Sequence, residues 1–285
     1  MKLAVISDIH GNLPALEATI DHIDRWQPDL VVVNGDVINR GPRSRQCWNL
    51  MHRRRQTHDW RIIGGNHEEY VGSWLEKETN ADGPRAGGPR FEIGRSSYWT
   101  FRQLDDYISQ ILDLPEQIEL QAPDGSVVRL THGTMRGKRD GVYILTPDEQ
   151  LVQQIAPAPD VFCTAHTHRP LVRRLNGRLV INSGSAGTAF DDDPRISYAQ
   201  LVWRRGSWRA KLVRLAYDRG QAERDFDITG YRQGGGPLVD IFIQEWLLAR
   251  PLVYRWAERY EEAVLAGDIT LQASVDDFLR HELSY

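Results

Sequence analysis

Five short fragments carry side chains able to hold a cation. They are Asp8 and His10 in "SDIHGN", Asp36 in "NGDVINRGP", Asn66 and His67 in "GGNHEE", His132 in "LTHGT", and His166 with His168 in "AHTHRP". Carboxylates, neutral imidazoles and an amide oxygen form a mixed nitrogen and oxygen donor set. Such a set suits Mn, Fe, Zn, Ni or Co, and without thiolates it does not read as a purely structural zinc site. Five of the nine histidines in the chain fall in it. Asp8 and His10 stand two apart, as do His166 and His168, so on extended chain each pair is expected to point to one side and reach one ion. The donors suffice for two ions.

Each fragment alone has a plain structural explanation, as a cap, a turn or a surface strand end; their joint placement is what carries weight. Short β-branched runs stop on these residues in turn: "LAVIS" before Asp8, "LVVVN" before Asp36, "WRIIGG" before Asn66, "VVRL" before His132 and "VFCTA" before His166. Continuous apolar runs describe strands buried on both faces, as in the centre of a layered α/β sheet. Between the first two lies "NLPALEATIDHIDRW", in which Asn12 suits a helix cap, Pro14 the first turn, and Leu16, Ile20 and Ile23 one apolar face. With a helix around "SRQCWNLMHRR", the chain opens as βαβαβ. Ligands of open sheets sit beyond the carboxyl ends of their strands, where all five fragments fall.

Taken in order, DxH, GDxxxRGP, GNHE, HG and HTH resemble the calcineurin-like metallophosphoesterases, most closely the small bacterial YfcE-type phosphodiesterases. The motifs span residues 8 to 168, and a similar strand pattern runs to about 217. The resemblance implies a four-layer αββα sandwich of two mixed sheets flanked by helices. It also implies two divalent ions: Asp8, His10, Asp36 and His168 around one, Asp36, Asn66, His132 and His166 around the other, with Asp36 bridging. The implied activity is a dinuclear metal-dependent phosphoesterase, a phosphodiesterase or phosphatase, hydrolysing a P–O bond through a metal-bridging hydroxide. His67 would protonate the departing oxygen or stabilise phosphoryl charge, and Arg40 would grip the phosphate oxygens. In the phosphoprotein phosphatases of the superfamily an aspartate precedes that arginine, whereas this chain has Asn39. A serine/threonine phosphatase of that kind is therefore the second reading, and a non-catalytic metal-binding scaffold the third.

The rest of the chain bounds these expectations. Its 285 residues, 41 % hydrophobic, suit one α/β domain plus an appendage, and a formal charge of −4 exerts no general pull on nucleic acid or membrane. Cys47 and Cys163 lack zinc or redox spacing and read as reduced structural thiols. Neither a signal peptide pattern nor an apolar run of about 18 residues is present, so the expected location is cytoplasmic. No dinucleotide or P-loop glycine pattern occurs. His22, His52, His58 and His281 are expected to be solvated, as is the "RRR" at 53–55. Residues 81–94, rich in glycine and proline, read as a mobile loop. Antiparallel hairpins are expected around "NG" and "RGS" between 171 and 216. "GGGP" at 234–237 reads as a linker between a domain at 1–233 and a helical extension at 238–285, broken at Pro251, through which a homo-oligomer would form. The expected partner of the site is a small-molecule phosphoester.

Overall fold

The computed structural model describes residues 1–79 and 88–283. Strands β1 (Lys2–Ile6), β2 (Leu30–Asn34) and β3 (Arg61–Ile63) alternate with helices α1 (Leu13–Trp26) and α2 (Ser44–His58). There follow helices α3 (Asn66–Gly72), α4 (Trp74–Thr79), α5 (Pro89–Gln103) and α6 (Ile108–Leu112), then strands β4 (Gln117–Gln121) and β5 (Val127–Thr131). Helix α7 (Asp148–Gln154) precedes strands β6 (Val161–Thr164), β7 (Leu171–Leu175), β8 (Arg178–Asn182), β9 (Ile196–Arg204) and β10 (Ser207–Leu215). Helices α8 (Arg219–Ile228), α9 (Tyr231–Gly234), α10 (Leu238–Leu248), α11 (Val253–Trp256), α12 (Glu262–Ala266) and α13 (Leu271–Glu282) complete the described chain.

The strands form two mixed five-stranded sheets, ordered β10-β9-β1-β2-β3 and β4-β5-β6-β8-β7. The first three strands run parallel, as do β5, β6 and β8, while the hairpins β7-β8 and β9-β10 are antiparallel. The alternation within the apolar runs explains the layers. Leu3 and Val5 meet Leu130, Val161 and Cys163 between the sheets, whereas Ala4 and Ile6 pack with Leu16, Ile20 and Trp48 under α1 and α2. Phe162 and Val180 face the other way, onto Leu151 of α7. Both faces of the central strands are thus dry, each fully buried aliphatic side chain contributing roughly 1.5–3 kcal/mol. The result is a helix, sheet, sheet, helix sandwich. Cys47 and Cys163 are buried and free.

Two expectations are corrected. Of the stretch 81–94, residues 81–87 lie outside the described residues, but Pro89 opens α5 at its first turn, so 89–94 are helical. Proline there loses only an N–H that a helix start leaves unpaired. His22 is half-buried, its Nδ1 within 2.7 Å of the Tyr198 hydroxyl. The 53–55 stretch does face solvent for the most part, with Arg54 paired to Asp24 and stacked on Trp60. The later helices build a core of their own, in which Phe226, Tyr231, Trp246, Trp256 and Phe278 are buried. Trp99 and Ile93 of α5 pack against it. Among the described residues no helix is long and apolar enough to cross a membrane.

Candidate functional site

The carboxyl ends of β1, β2, β5 and β6, with the amino end of α3, bring the predicted donors together. Three trios have ligand atoms mutually within 4.8 Å: Asp8, His10 and His168; His10, Asp36 and His67; Asp36, His132 and His166. Asp36 Oδ2 stands 3.7 Å from His10 Nε2 and 3.2 Å from His132 Nε2, between the two groups. Asn66 Oδ1 lies 3.0 Å from His132 Nε2 and 2.9 Å from His166 Nδ1. His168 Nε2 is 3.1 Å from His10 Nε2 and 3.4 Å from Asp8 Oδ1.

The way the pairs converge differs from the extended-chain expectation. Asp8 and His10 have φ of 53° and 49°, His166 and His168 of 66° and 54°, and Asp36, Asn39 and Arg40 of 55°, 71° and 63°. All seven occupy the left-handed region, which Asp, Asn and His tolerate better than other side chains but still at a cost of about 1–3 kcal/mol each. The donors are aimed by tight left-handed turns, and no strand pleat sets their direction. Gly65 permits one close approach: a Cβ there would fall 2.1 Å from Asp36 Oδ1.

Burial and neighbours set the electrostatics. Burial pushes the Asp8 carboxyl up to about 8. Burial acts against Asp36 too, but His132 and His67 outweigh it and hold that carboxyl well below its usual range. For His132 burial is overcome by Asp36, and the imidazole rises to about 10. Burial lowers His166 to about 4 and His67 to about 3, and puts His10 and His168 well below the ordinary value, so these four rings are neutral.

The donor set fits divalent metal. His132 Nδ1 donates to the Asn34 carbonyl at 2.8 Å and His168 Nδ1 to the Thr188 carbonyl at 2.5 Å. Each bond holds Nδ1–H outward and turns Nε2 inward, the usual arrangement behind a ligating imidazole. Asp8 Oδ1 and His10 Nδ1 are buried without a hydrogen-bond partner among the described residues. Lone pairs crowded at 3 to 4 Å with so few protons between them call for a cation.

The remaining predicted residues stand beside this centre. The His67 ring meets His10 edge-on, with centroids 4.7 Å apart, and its backbone N–H donates to Asp36 Oδ1 at 2.9 Å. Asn39 Nδ2 donates to His67 Nδ1 at 2.9 Å, an orientation fixed because Asn39 Oδ1 accepts the Arg40 amide at 2.9 Å. Nε2 of the neutral ring is therefore left to carry the proton. Arg40 is largely buried: Nη1 bonds Glu245 Oε2 at 2.9 Å, and the guanidinium lies 5.1 Å over the Phe242 ring.

Three partners were missed from sequence. Glu68 accepts from the amides of Gly65, Asp36 and Val37 at 2.8, 2.9 and 2.9 Å, tying the turn after β2 to the start of α3. A glutamate at the third position of a helix is a capping signal, so "GNHE" carried the clue. Ser7 Oγ donates to Asp8 Oδ2 at 2.8 Å. Glu245 comes from α10, far from every motif, and no local signal marks it.

Comparison with known proteins agrees with this geometry. Residues 1–205 match the model of the calcineurin-like phosphoesterase superfamily domain. The chain is 26 % identical over 232 residues to the uncharacterised protein MJ0912 of Methanocaldococcus jannaschii, covering 76 % of this chain and 88 % of that one. Over 44 residues it is 46 % identical to the phosphodiesterase YfcE of Escherichia coli, covering 15 % and 24 % of the two chains. Two solved structures share the fold. A metallophosphoesterase from Sphaerobacter thermophilus has a TM-score of 0.67 at 24 % identity, covering 87 % of this chain and 99 % of that one. The hypothetical protein PH1004 from Pyrococcus horikoshii has 0.69 at 16 %, covering 84 % and 97 %. A family model matching most of the chain, on a sandwich whose strand ends gather those histidines and carboxylates, makes this protein a member of the calcineurin-like phosphoesterase superfamily.

Proposed function

We propose that this chain is a dinuclear metal-dependent phosphoesterase acting on small-molecule phosphoesters. The observation that carries the reading is the position of Asp36, with Asp8, His10 and His168 on one side and Asn66, His132 and His166 on the other. Bound divalent ions supply Lewis acidity, lowering the pKa of water towards neutrality and neutralising phosphoryl charge. The chain's own residues do the rest. Arg40 presents a planar, permanently charged fork to the phosphate. His67, neutral with its proton on Nε2, donates a hydrogen bond that stabilises charge developing on the departing oxygen, and Asn39 keeps it in that tautomer. The carbonyls of Asn34 and Thr188 hold the ligand rings, and Glu68 clamps the Asp36 turn. Asn39 in place of a carboxylate favours this reading over a phosphoprotein phosphatase, because an amide does not support an imidazolium at His67.

The test is a panel of aryl phosphate monoesters and diesters, offered to protein reconstituted with manganese, zinc or iron and assayed for metal content. About two ions per chain and hydrolysis of at least one ester class are expected. Folded, metal-loaded protein that cleaves none of them overturns the reading.

A further inference from the structure

A cleft of 790 Å³ opens beside the metal centre, and its lining includes Asn39, Arg40 and His67. Its walls are the α3–α4 segment, with Tyr70 and Trp74, and the later helices, with Phe242, Val253 and Tyr254. We propose that this cleft receives the leaving alcohol of the substrate, and that this alcohol is bulky and largely apolar. The inference rests on the phosphoesterase reading and adds the substrate class.

Three observations carry it. The first is placement. A leaving oxygen that accepts a hydrogen bond from His67 Nε2 must lie on the side of His67, and the cleft is the space that His67 lines together with Arg40. The second is size and character. At 790 Å³ the space matches sites that enclose organic molecules of drug size, and is far larger than a methyl group or a serine side chain requires. Tyr70 and Tyr254 are 38 % and 56 % exposed there, large rings left open to solvent beside a catalytic centre. Among the described lining residues Lys77 and Arg90 outnumber the single carboxylate of Glu261, Arg40 being already paired with Glu245, and this small positive excess favours an anionic ester.

The third is ownership of the wall. Phe242, Val253 and Tyr254 lie beyond residue 205, where the match to the family model ends. The same helix α10 supplies Phe242 to the cleft and Glu245 to Arg40. The chemistry thus belongs to the shared domain, and the choice of leaving group to the later helices of this chain.

The experiment compares phenyl with 4-biphenylyl esters, each as monoester and as methyl diester, on metal-loaded protein. The two phenols are of similar acidity, so leaving-group chemistry is held nearly constant while apolar area grows. The biphenylyl ester is expected to have a kcat/KM at least about tenfold higher. Tyr254→Ala should cut that ratio about three- to tenfold; with so exposed a side chain, its loss excavates no core. Equal rates for the two esters, or an unchanged ratio in Tyr254→Ala, overturn the inference and leave the phosphoesterase standing. A binding arm needs no metal: calorimetry of 4-phenylphenol with metal-free protein should show saturable binding that Ala257→Trp, which puts an indole into the cleft, weakens about tenfold or more. Absent binding, or binding unaffected by that substitution, overturns the cleft assignment. Cleavage of neither ester, with binding intact, strikes the catalytic reading instead.

Discussion

Arg40 Nη1 and Glu245 Oε2 are 2.9 Å apart, joining residues separated by 205 positions. Glu245 uses its other oxygen to accept the amides of Leu252 and Val253 at 2.7 and 2.8 Å, closing the bend at Pro251. Burial raises this carboxyl, and Arg40 offsets part of the rise. One carboxylate therefore both shapes the turn between α10 and α11 and holds the guanidinium beside the cluster of candidate ligands.

Glu245→Gln separates these tasks. The amide oxygen can keep the Leu252 and Val253 bonds while its N–H₂ meets a donor at Arg40. KM for small phosphoesters is expected to rise about tenfold or more with a smaller change in kcat. Arg40→Ala should raise KM similarly, and adding Glu245→Gln to it should change KM little, since the pair acts as a unit. Fully additive effects would separate the two residues. Truncation to Glu245→Ala removes one member of a buried pair and is expected to cost about 3–5 kcal/mol of stability, read by chemical denaturation.

Asp36→Asn removes the carboxylate that stands between the two donor groups. Metal content, measured by elemental analysis after dialysis, should drop below one ion per chain, on the order of tenfold or more in affinity, and activity should vanish with it. An unaltered content with full turnover would take Asp36 out of the centre.

His67 is expected to matter to turnover alone. His67→Ala should lower kcat about 10² to 10⁴-fold while metal content persists; loss of metal in this variant would make His67 a ligand. Asn39→Asp tests the tautomer. A carboxylate beside Nδ1 stabilises the imidazolium, so the pH at which His67 titrates should move upward from its buried value of about 3. The ring's NMR titration follows this directly.

Much of this arrangement is legible in the linear chain because each strand end carries its donors within a few residues. "SDIHGN", "NGDVINRGP" and "AHTHRP" are local, and β-branched runs reveal the strands beneath them. What pattern reading misses is of three kinds. Side-chain direction at Asp8, His10, His166 and His168 depends on left-handed turns, which a period-two rule does not describe. Glu245 reaches Arg40, and Tyr254 the cleft, only because the later helices pack against α5, a tertiary event with no local signature. The start of α5 was hidden for a third reason. Glycine and proline at 81–89 signal a loop, yet the last proline is also a good first residue for a helix.

Proton release on metal uptake follows from the opposed pKa shifts at the centre. Asp8, held at about 8, and His132, held at about 10, both carry a proton at pH 7 in the metal-free protein, whereas His10, His166 and His168 do not. A ligating carboxylate or imidazole must give up its proton, so loading at pH 7 should release about two protons per chain. The sign follows. As pH falls below 7 both groups stay protonated and affinity drops, by up to about tenfold per proton for each unit. As pH rises through 8 the Asp8 proton is already gone and release falls towards one. Calorimetry in buffers of different ionisation enthalpy reads the number as a slope. A slope of zero at pH 7 would mean that neither group carries a proton for the metal to displace, and would overturn the raised pKa of Asp8 and His132.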